Sequence, residues 1–171
     1  MLFNSLTFVV FFAIVVALHN APLSWRVKKW NLLIASYIFY GAWNPPFVIL
    51  LLISTAIDWQ AARWIAASED KARRRLFLML SLAANLGFLS YFKYGEFLLE
   101  NFTALTASIG VAYKPPEWNI ILPVGISFYT FQTMAYTLDV YLRRAAPTKS
   151  LLDFALFVTF FPQLVAGPIV R

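Results

Sequence analysis

The chain of 171 residues has no cysteine, a single histidine and a charged fraction of only 13%. The absence of cysteine excludes disulfides, thiolate nucleophiles and thiolate-held metals, and leaves the redox compartment open. His19 has no partner residue at the spacing of a metal site or a catalytic triad. It is therefore read as non-catalytic and the chain as metal-free. No lysine or arginine precedes the first apolar run, Leu2–Leu18. A secretory signal needs a basic stretch there. The charges Arg26, Lys28 and Lys29 come after the run instead, the order expected of an uncleaved anchor with its N-terminus outside.

What the chain has in excess is hydrocarbon. Hydrophobic residues make up 61% of it and aromatics 18%, with six Trp, and the mean hydropathy is +0.69. Those values lie far above the soluble-domain range. The fold class expected is an all-α integral membrane protein, a polytopic helical bundle whose partner is the lipid bilayer. Against the roughly 20 residues needed to cross a bilayer, six apolar segments stand out: Leu2–Leu18, Trp30–Trp43, Phe47–Ala66, Leu76–Tyr94, Pro123–Arg143 and Leu151–Val170. Asn44-Pro45-Pro46 separates the second from the third with a turn that a helix does not cross easily.

The net charge of +6 is a topology signal and not a nucleic-acid patch. With the N-terminus outside and each segment crossing once, the inner loops hold Arg26, Lys28, Lys29, Arg63, Lys71, Arg73, Arg74, Arg75, Arg143, Arg144 and Lys149. That is eleven of the 14 basic residues, as the positive-inside rule requires. The outer loops hold Lys93 and Lys114 against Glu96, Glu100 and Glu117. Between the fourth and fifth segments, Leu98, Phe102, Leu105 and Ile109 form one apolar stripe, which suits a separate short helix lying in the outer interface.

The segment from Pro123 to Arg143 crosses the bilayer by length yet carries hydrogen-bonding side chains along one flank. At about 100° per residue, Tyr129, Gln132, Tyr136, Asp139 and Arg143 share a helix face. Phe131, Ala135, Leu138 and Leu142 occupy the neighbouring one. Polar groups in hydrocarbon are costly and mark substrate paths or wet cavities; the same stripe also suits a hydrogen-bond seam between helices. Pro123 is placed in the first turn of that helix, and Asp139 with Arg143 at ion-pair spacing. Asp58 is read as an interfacial carboxylate near Arg63, because an unpaired one at depth is costly. Ser81 and Asn85 suit helix–helix hydrogen bonding. The last segment is interrupted by Pro162 and by Gly167-Pro168, so a kinked or re-entrant course is expected.

LPVGISFYTFQTMAYTLDVY followed by DFALFVTFFPQLVAGPIVR, together with MLFNSLTFVVFF, NLLIASYIFYGAWN and SYFKYGEFL, resembles the membrane-bound O-acyltransferase (MBOAT) family. Within it the likeness is to bacterial members that O-acetylate alginate. Each piece is a weak apolar motif; their order across essentially the whole chain makes the match specific. The resemblance implies a multi-pass enzyme of the bacterial inner membrane that takes acetyl from a cytoplasmic donor, acetyl-CoA by analogy, to an extracytoplasmic polysaccharide. Alginate, another exopolysaccharide, peptidoglycan and teichoic acid (by D-alanyl transfer) are the acceptors that share this architecture. An extracytoplasmic acetyltransferase is the partner implied. The family's essential histidine lies beyond the matched region, so residues 1–171 are expected to be the N-terminal part of the enzyme, inactive alone, with no catalytic residue and no bound cofactor. On that view Tyr129, Gln132, Tyr136 and Asp139 line the funnel wall, and Pro123, Pro162, Gly167 and Pro168 shape its helix breaks. A different class of function is a transporter or export scaffold, since a polar stripe beside a broken segment is also a carrier feature.

Overall fold

The computed structural model describes residues 5–113 and 120–166, and every regular element in them is helical. Seven helices follow one another: α1 (Leu6–Asn20), α2 (Trp25–Gly41), α3 (Pro46–Ala67), α4 (Lys71–Ser108), α5 (Ile126–Tyr141), α6 (Leu151–Thr159) and α7 (Phe161–Ala166). Their starts follow local chemistry. Ser5, Asp70 and Ser150 each accept a backbone N–H of the first turn of α1, α4 and α6, satisfying donors that a helix N-terminus leaves orphaned. Pro46 opens α3, where its missing N–H costs nothing.

Among the described residues, two helices are long and apolar enough to cross a membrane, α3 with 22 residues and α4 with 38. The six-crossing reading is not reproduced as six full-length spans. Helix α1 is apolar but has 15 residues, α5 has 16, and α6, with nine, rises only about 14 Å.

Three further expectations are corrected. The stripe Leu98, Phe102, Leu105 and Ile109 does not begin a separate interfacial helix; its first three residues lie in α4, and Ile109 is the cap residue just after it. No Pro lies between Tyr94 and Leu98, and Gly95, the weak helix former there, costs about 1 kcal/mol without interrupting the helix. Phe92 packs edge-on against Phe47 at the start of α3, ring centroids 6.0 Å apart. Sixteen more residues of α4 run on past that level, about 24 Å of helix, and Ile109 at its end is 71% exposed.

Pro123 is not in the first turn of α5. The helix starts at Ile126 because Gly125 adopts φ +75°, a left-handed conformation that glycine reaches without a Cβ penalty. Pro123 lies in the preceding turn, its carbonyl accepting from Ile126 N–H at 3.3 Å. In the last segment the helix breaks at Phe160 (φ −54°, ψ 111°), two residues before Pro162. Pro162 falls inside the first turn of α7, where proline is tolerated. The interrupted course is present. Gly167 and Pro168 lie outside the described residues.

Helices α3, α4 and α5 pack on one another, α2 packs on α6, and α1 on α2. The main core joins Tyr40, Phe47, Leu51, Leu89, Ile126, Tyr129, Phe154, Val158 and Leu164. A second cluster seats Phe161 among Phe8, Phe11 and Phe39. Cross-helix contacts sort into two ends. At one end Lys29 pairs with Asp153 at 2.7 Å, Arg143 with Glu69 at 3.1 Å, Arg74 donates to the Tyr141 carbonyl, and Trp59 donates to the Thr148 carbonyl at 3.0 Å. At the other, Tyr40 donates to the Val124 carbonyl and Lys93 to Ser127. The basic loops thus gather at a single end of the bundle.

Candidate functional site

The distribution of polarity is inverted relative to a water-soluble protein. Val9, Ile49 and Leu80 are 58%, 61% and 56% exposed, whereas Ser36, Ser54, Thr55, Asp58, Ser81, Asn85, Thr130, Gln132, Thr133, Thr137 and Thr159 are all buried. An exposed large apolar surface over a polar interior is what a lipid environment selects. Close packing, not transfer from water, then holds the helices together.

The centre of that interior is a carboxylate. Asp58 on α3 is fully buried. It accepts from the Ser81 hydroxyl at 2.5 Å and from the Asn85 amide nitrogen at 2.8 and 2.9 Å, both on α4. The Asn85 amide oxygen in turn accepts from Ser54 of α3 at 3.1 Å and from Thr133 of α5 at 3.5 Å. Asn85 also donates to the Ser81 carbonyl one turn back. Three helices are thereby laced through one asparagine. The expectation for Asp58 is corrected: it is not an interfacial group beside Arg63. Arg63 stacks on Trp59, 4.5 Å from the ring centroid, while Asp58 turns inward because Ser81 and Asn85 offer the donors that burial demands. Ser81 and Asn85 do bond across helices, as their spacing suggested.

The polar line on α5 is divided between environments. Tyr129 and Gln132 are each 1% exposed. Gln132 donates its amide nitrogen to the Phe157 carbonyl of α6 at 3.0 Å. Tyr136 is half-buried, packs on Phe154 with centroids 4.6 Å apart, and its hydroxyl accepts from Thr148 N–H at 2.8 Å. Asp139 is also half-buried, and its carbonyl ends the helix by accepting from Arg144 and Ala145 N–H. The expected Asp139–Arg143 contact is replaced by Arg143–Glu69, since Arg143 has left the helix at φ 60°. Tyr129 and Gln132 are therefore brought together against α6 and α7, while Tyr136 and Asp139 stand toward the basic end.

Sequence reasoning missed the second polar face of α5. Thr130, Thr133 and Thr137 are buried, and each of the last two returns its hydroxyl to a carbonyl three or four residues earlier. It also missed Ser36, whose buried hydroxyl accepts the first N–H of α7, from Phe161, at 3.2 Å. Pro162 borders a small groove of about 210 Å³ with Phe160, Phe161, Val15 and His19. His19 contacts the Trp25 ring edge-on, and no group of three or more metal-ligating residues occurs among the described residues.

Comparison with known proteins decides the family. The probable alginate O-acetylase of Pseudomonas aeruginosa is 38% identical over 148 residues, covering 85% of this chain and 28% of that protein. The probable alginate O-acetylase of Azotobacter vinelandii is 38% identical, covering 85% of the chain and 29% of that protein. The peptidoglycan O-acetyltransferase of Helicobacter pylori is 36% identical over 168 residues, 84% of the chain and 31% of its own length.

The chain belongs with the membrane-bound O-acyltransferases.

It spans about three-tenths of the length of these curated relatives. No family model matches it, and no solved structure is significantly similar to it. What this chain displays is two helices of membrane-spanning length tied by a buried polar knot, with an interrupted α6–α7 corner beside it.

Proposed function

We propose that this chain is the N-terminal part of a bacterial inner-membrane O-acetyltransferase, its N-terminus outside. The enzyme passes acetyl from cytoplasmic acetyl-CoA to a hydroxyl of an extracytoplasmic polysaccharide, alginate or a similar exopolysaccharide, with an extracytoplasmic acetyltransferase as partner. In the transfer a sugar oxygen attacks the acetyl carbonyl, the carbon–sulfur bond breaks, the thiolate leaves, and a base takes the hydroxyl proton. None of those reacting roles is assigned to a residue of this chain. Tyr129, Gln132, Tyr136 and Asp139 are assigned to the wall of the path.

The observation that carries the proposal is the similarity to two kinds of enzyme whose names share O-acetyl transfer and differ in acceptor. What is common to alginate and peptidoglycan is a sugar hydroxyl, so the shared segment is expected to serve the transfer and not the choice of polymer. The gathering of basic loops at one end of the bundle supports the orientation, because that end belongs in the cytoplasm.

The test is ester-linked acetate on exopolysaccharide, measured by proton NMR, in a strain whose own copy of the enzyme carries Gln132→Leu or Leu138→Ala. Gln132 is buried against α6 and Leu138 is exposed on the neighbouring apolar face. Acetate is expected to fall with the first and stay with the second. Equal acetate in both would leave the polar line as a packing seam, and acetate unchanged on deleting the gene would remove the acetyltransferase reading altogether.

A further inference from the structure

At the basic end of the bundle, the ends of α3 and α5 and the start of α4 surround a polar pocket of about 380 Å³ whose lining includes Ile65, Glu69, Arg74, Arg143, Arg144 and Ala145. That volume lies within the range of small-molecule sites. Three arginines meet one carboxylate there, a surplus of two positive charges. Arg74 is held in place: one terminal nitrogen donates to the Tyr141 carbonyl, and the guanidinium lies 5.3 Å from the Tyr141 ring centroid. Its other terminal nitrogen, Nη1, has no hydrogen-bond partner among the described residues and is not buried. Arg143 adopts φ 60° just past the end of α5, in the position where glycine is usual. Its N–H and that of Arg144 close the helix on the Val140 and Asp139 carbonyls. The Arg143 side chain reaches Glu69 at 3.1 Å, a pair exposed on both sides and so held weakly. The Arg144 side chain makes no hydrogen bond or ion pair among the described residues.

We propose that this pocket binds phosphate. Capping of a helix C-terminus by a cation accounts for Arg74, which covers the Tyr141 carbonyl, but not for Arg144, which covers none. The carbonyl ends of α3 and α5 oppose an anion. Those of Val140 and Asp139 are already bonded, however, and that of Tyr141 lies under Arg74. Guanidinium groups present paired N–H donors that match phosphate oxygens two at a time. A phosphate monoester, or a headgroup carrying two phosphodiesters, balances a surplus of two charges, which a single carboxylate does not. Freeing Arg143 from Glu69 to join them costs little, because that pair is exposed. The phosphate comes either from a phospholipid headgroup at that membrane surface or from a soluble phosphate ester. The site stands on these side chains and does not rest on the acetyltransferase reading.

The experiment follows thermal unfolding of the complete protein in phosphatidylcholine nanodiscs, with cardiolipin added in one arm and inorganic phosphate or ADP in the other. Three forms are compared: wild type, Arg144→Gln in the pocket, and Arg75→Gln, which removes the same charge from an exposed position of α4 outside it. Neither arginine makes an ion pair among the described residues, so both variants are expected to fold. Wild type and Arg75→Gln are expected to melt about 5–10 °C higher with ligand in about hundredfold excess over its Kd. Arg144→Gln is expected to need about tenfold more ligand for the same shift. That pattern with cardiolipin assigns the phosphate to lipid, and with inorganic phosphate or ADP to a soluble ester. No wild-type shift in either arm overturns the proposal. So does a shift that Arg144→Gln shows at the wild-type ligand concentration. A shift that Arg75→Gln weakens as much as Arg144→Gln also overturns it, since the attraction is then to the charge of the whole basic end and not to the pocket.

Discussion

Replacing Asp58 separates an acceptor that ties helices from a charge that merely occupies space. Asp58→Ala removes the acceptor for three contacts, at 2.5, 2.8 and 2.9 Å. Interhelical hydrogen bonds within membranes average about 0.6 kcal/mol, so the three bonds alone amount to roughly 2 kcal/mol. The larger penalty is what remains. The Ser81 hydroxyl and one Asn85 proton lose their acceptor at sites no more than 1% exposed, and stranded buried donors bring the expected loss to about 3–5 kcal/mol. Asp58→Asn keeps one oxygen for Ser81 and sets its amide against that of Asn85. Turning the Asn85 amide over relieves this, because the Ser54 and Thr133 hydroxyls, which now donate to Asn85, can rotate and accept instead. That rearrangement costs about 1 kcal/mol. Near 2–4 °C per kcal/mol for a chain of this size, Asp58→Ala is expected to melt roughly 6–20 °C lower and Asp58→Asn only a few degrees lower. Thermal unfolding followed by fluorescence-detected size exclusion measures both. Equal losses in the two variants would refute the acceptor argument, and no loss in Asp58→Ala would refute the knot itself.

The remaining expectations concern backbone, cap and surface charge. Gly125→Ala places a Cβ against the Leu164 carbonyl at a φ of +75° and should lower the melting temperature by several degrees. Gly87→Ala in the same assay should raise it by about the 0.5–1 kcal/mol of helix propensity, since nothing lies within 4 Å of its Cβ position; the reverse order would contradict the close approach of α7. Ser36→Ala leaves the buried Phe161 N–H without its acceptor and should cost about 1 kcal/mol, with faster deuterium exchange confined to Phe161–Leu164 as the local signature. Lys29→Gln breaks a partly exposed pair with Asp153 and should cost under about 1 kcal/mol at low salt and nothing measurable at high salt.

How much of this was legible in the sequence depended on which signal each feature leaves. The apolar runs and the polar line of α5 were readable because hydropathy and a 3.6-residue period are local. Tyr129 and Gln132 are buried as that line implied. The run-on of α4 escapes the sequence reading, because bilayer length sets that helix's end at Tyr94 whereas Gly95, with no Pro beside it, only weakens the helix. Pro162 signals the break without being its site, because proline disrupts the helix upstream of itself; the chain bends at Phe160, two residues earlier.

The knot around Asp58 was missed for a deeper reason. Its members are scattered at 54, 58, 81, 85 and 133, and no single helix shows more than two polar residues of it. Within each helix, though, the trace is there. Ser54 and Asp58 are four apart, Ser81 and Asn85 are four apart, and Thr130, Thr133 and Thr137 repeat at three and four. Small polar residues at that spacing on three helices let backbones approach closely and bond across the gap. A carboxylate at membrane depth is therefore better located by finding neighbouring spans that carry matching donors than by asking how far it stands from the nearest arginine.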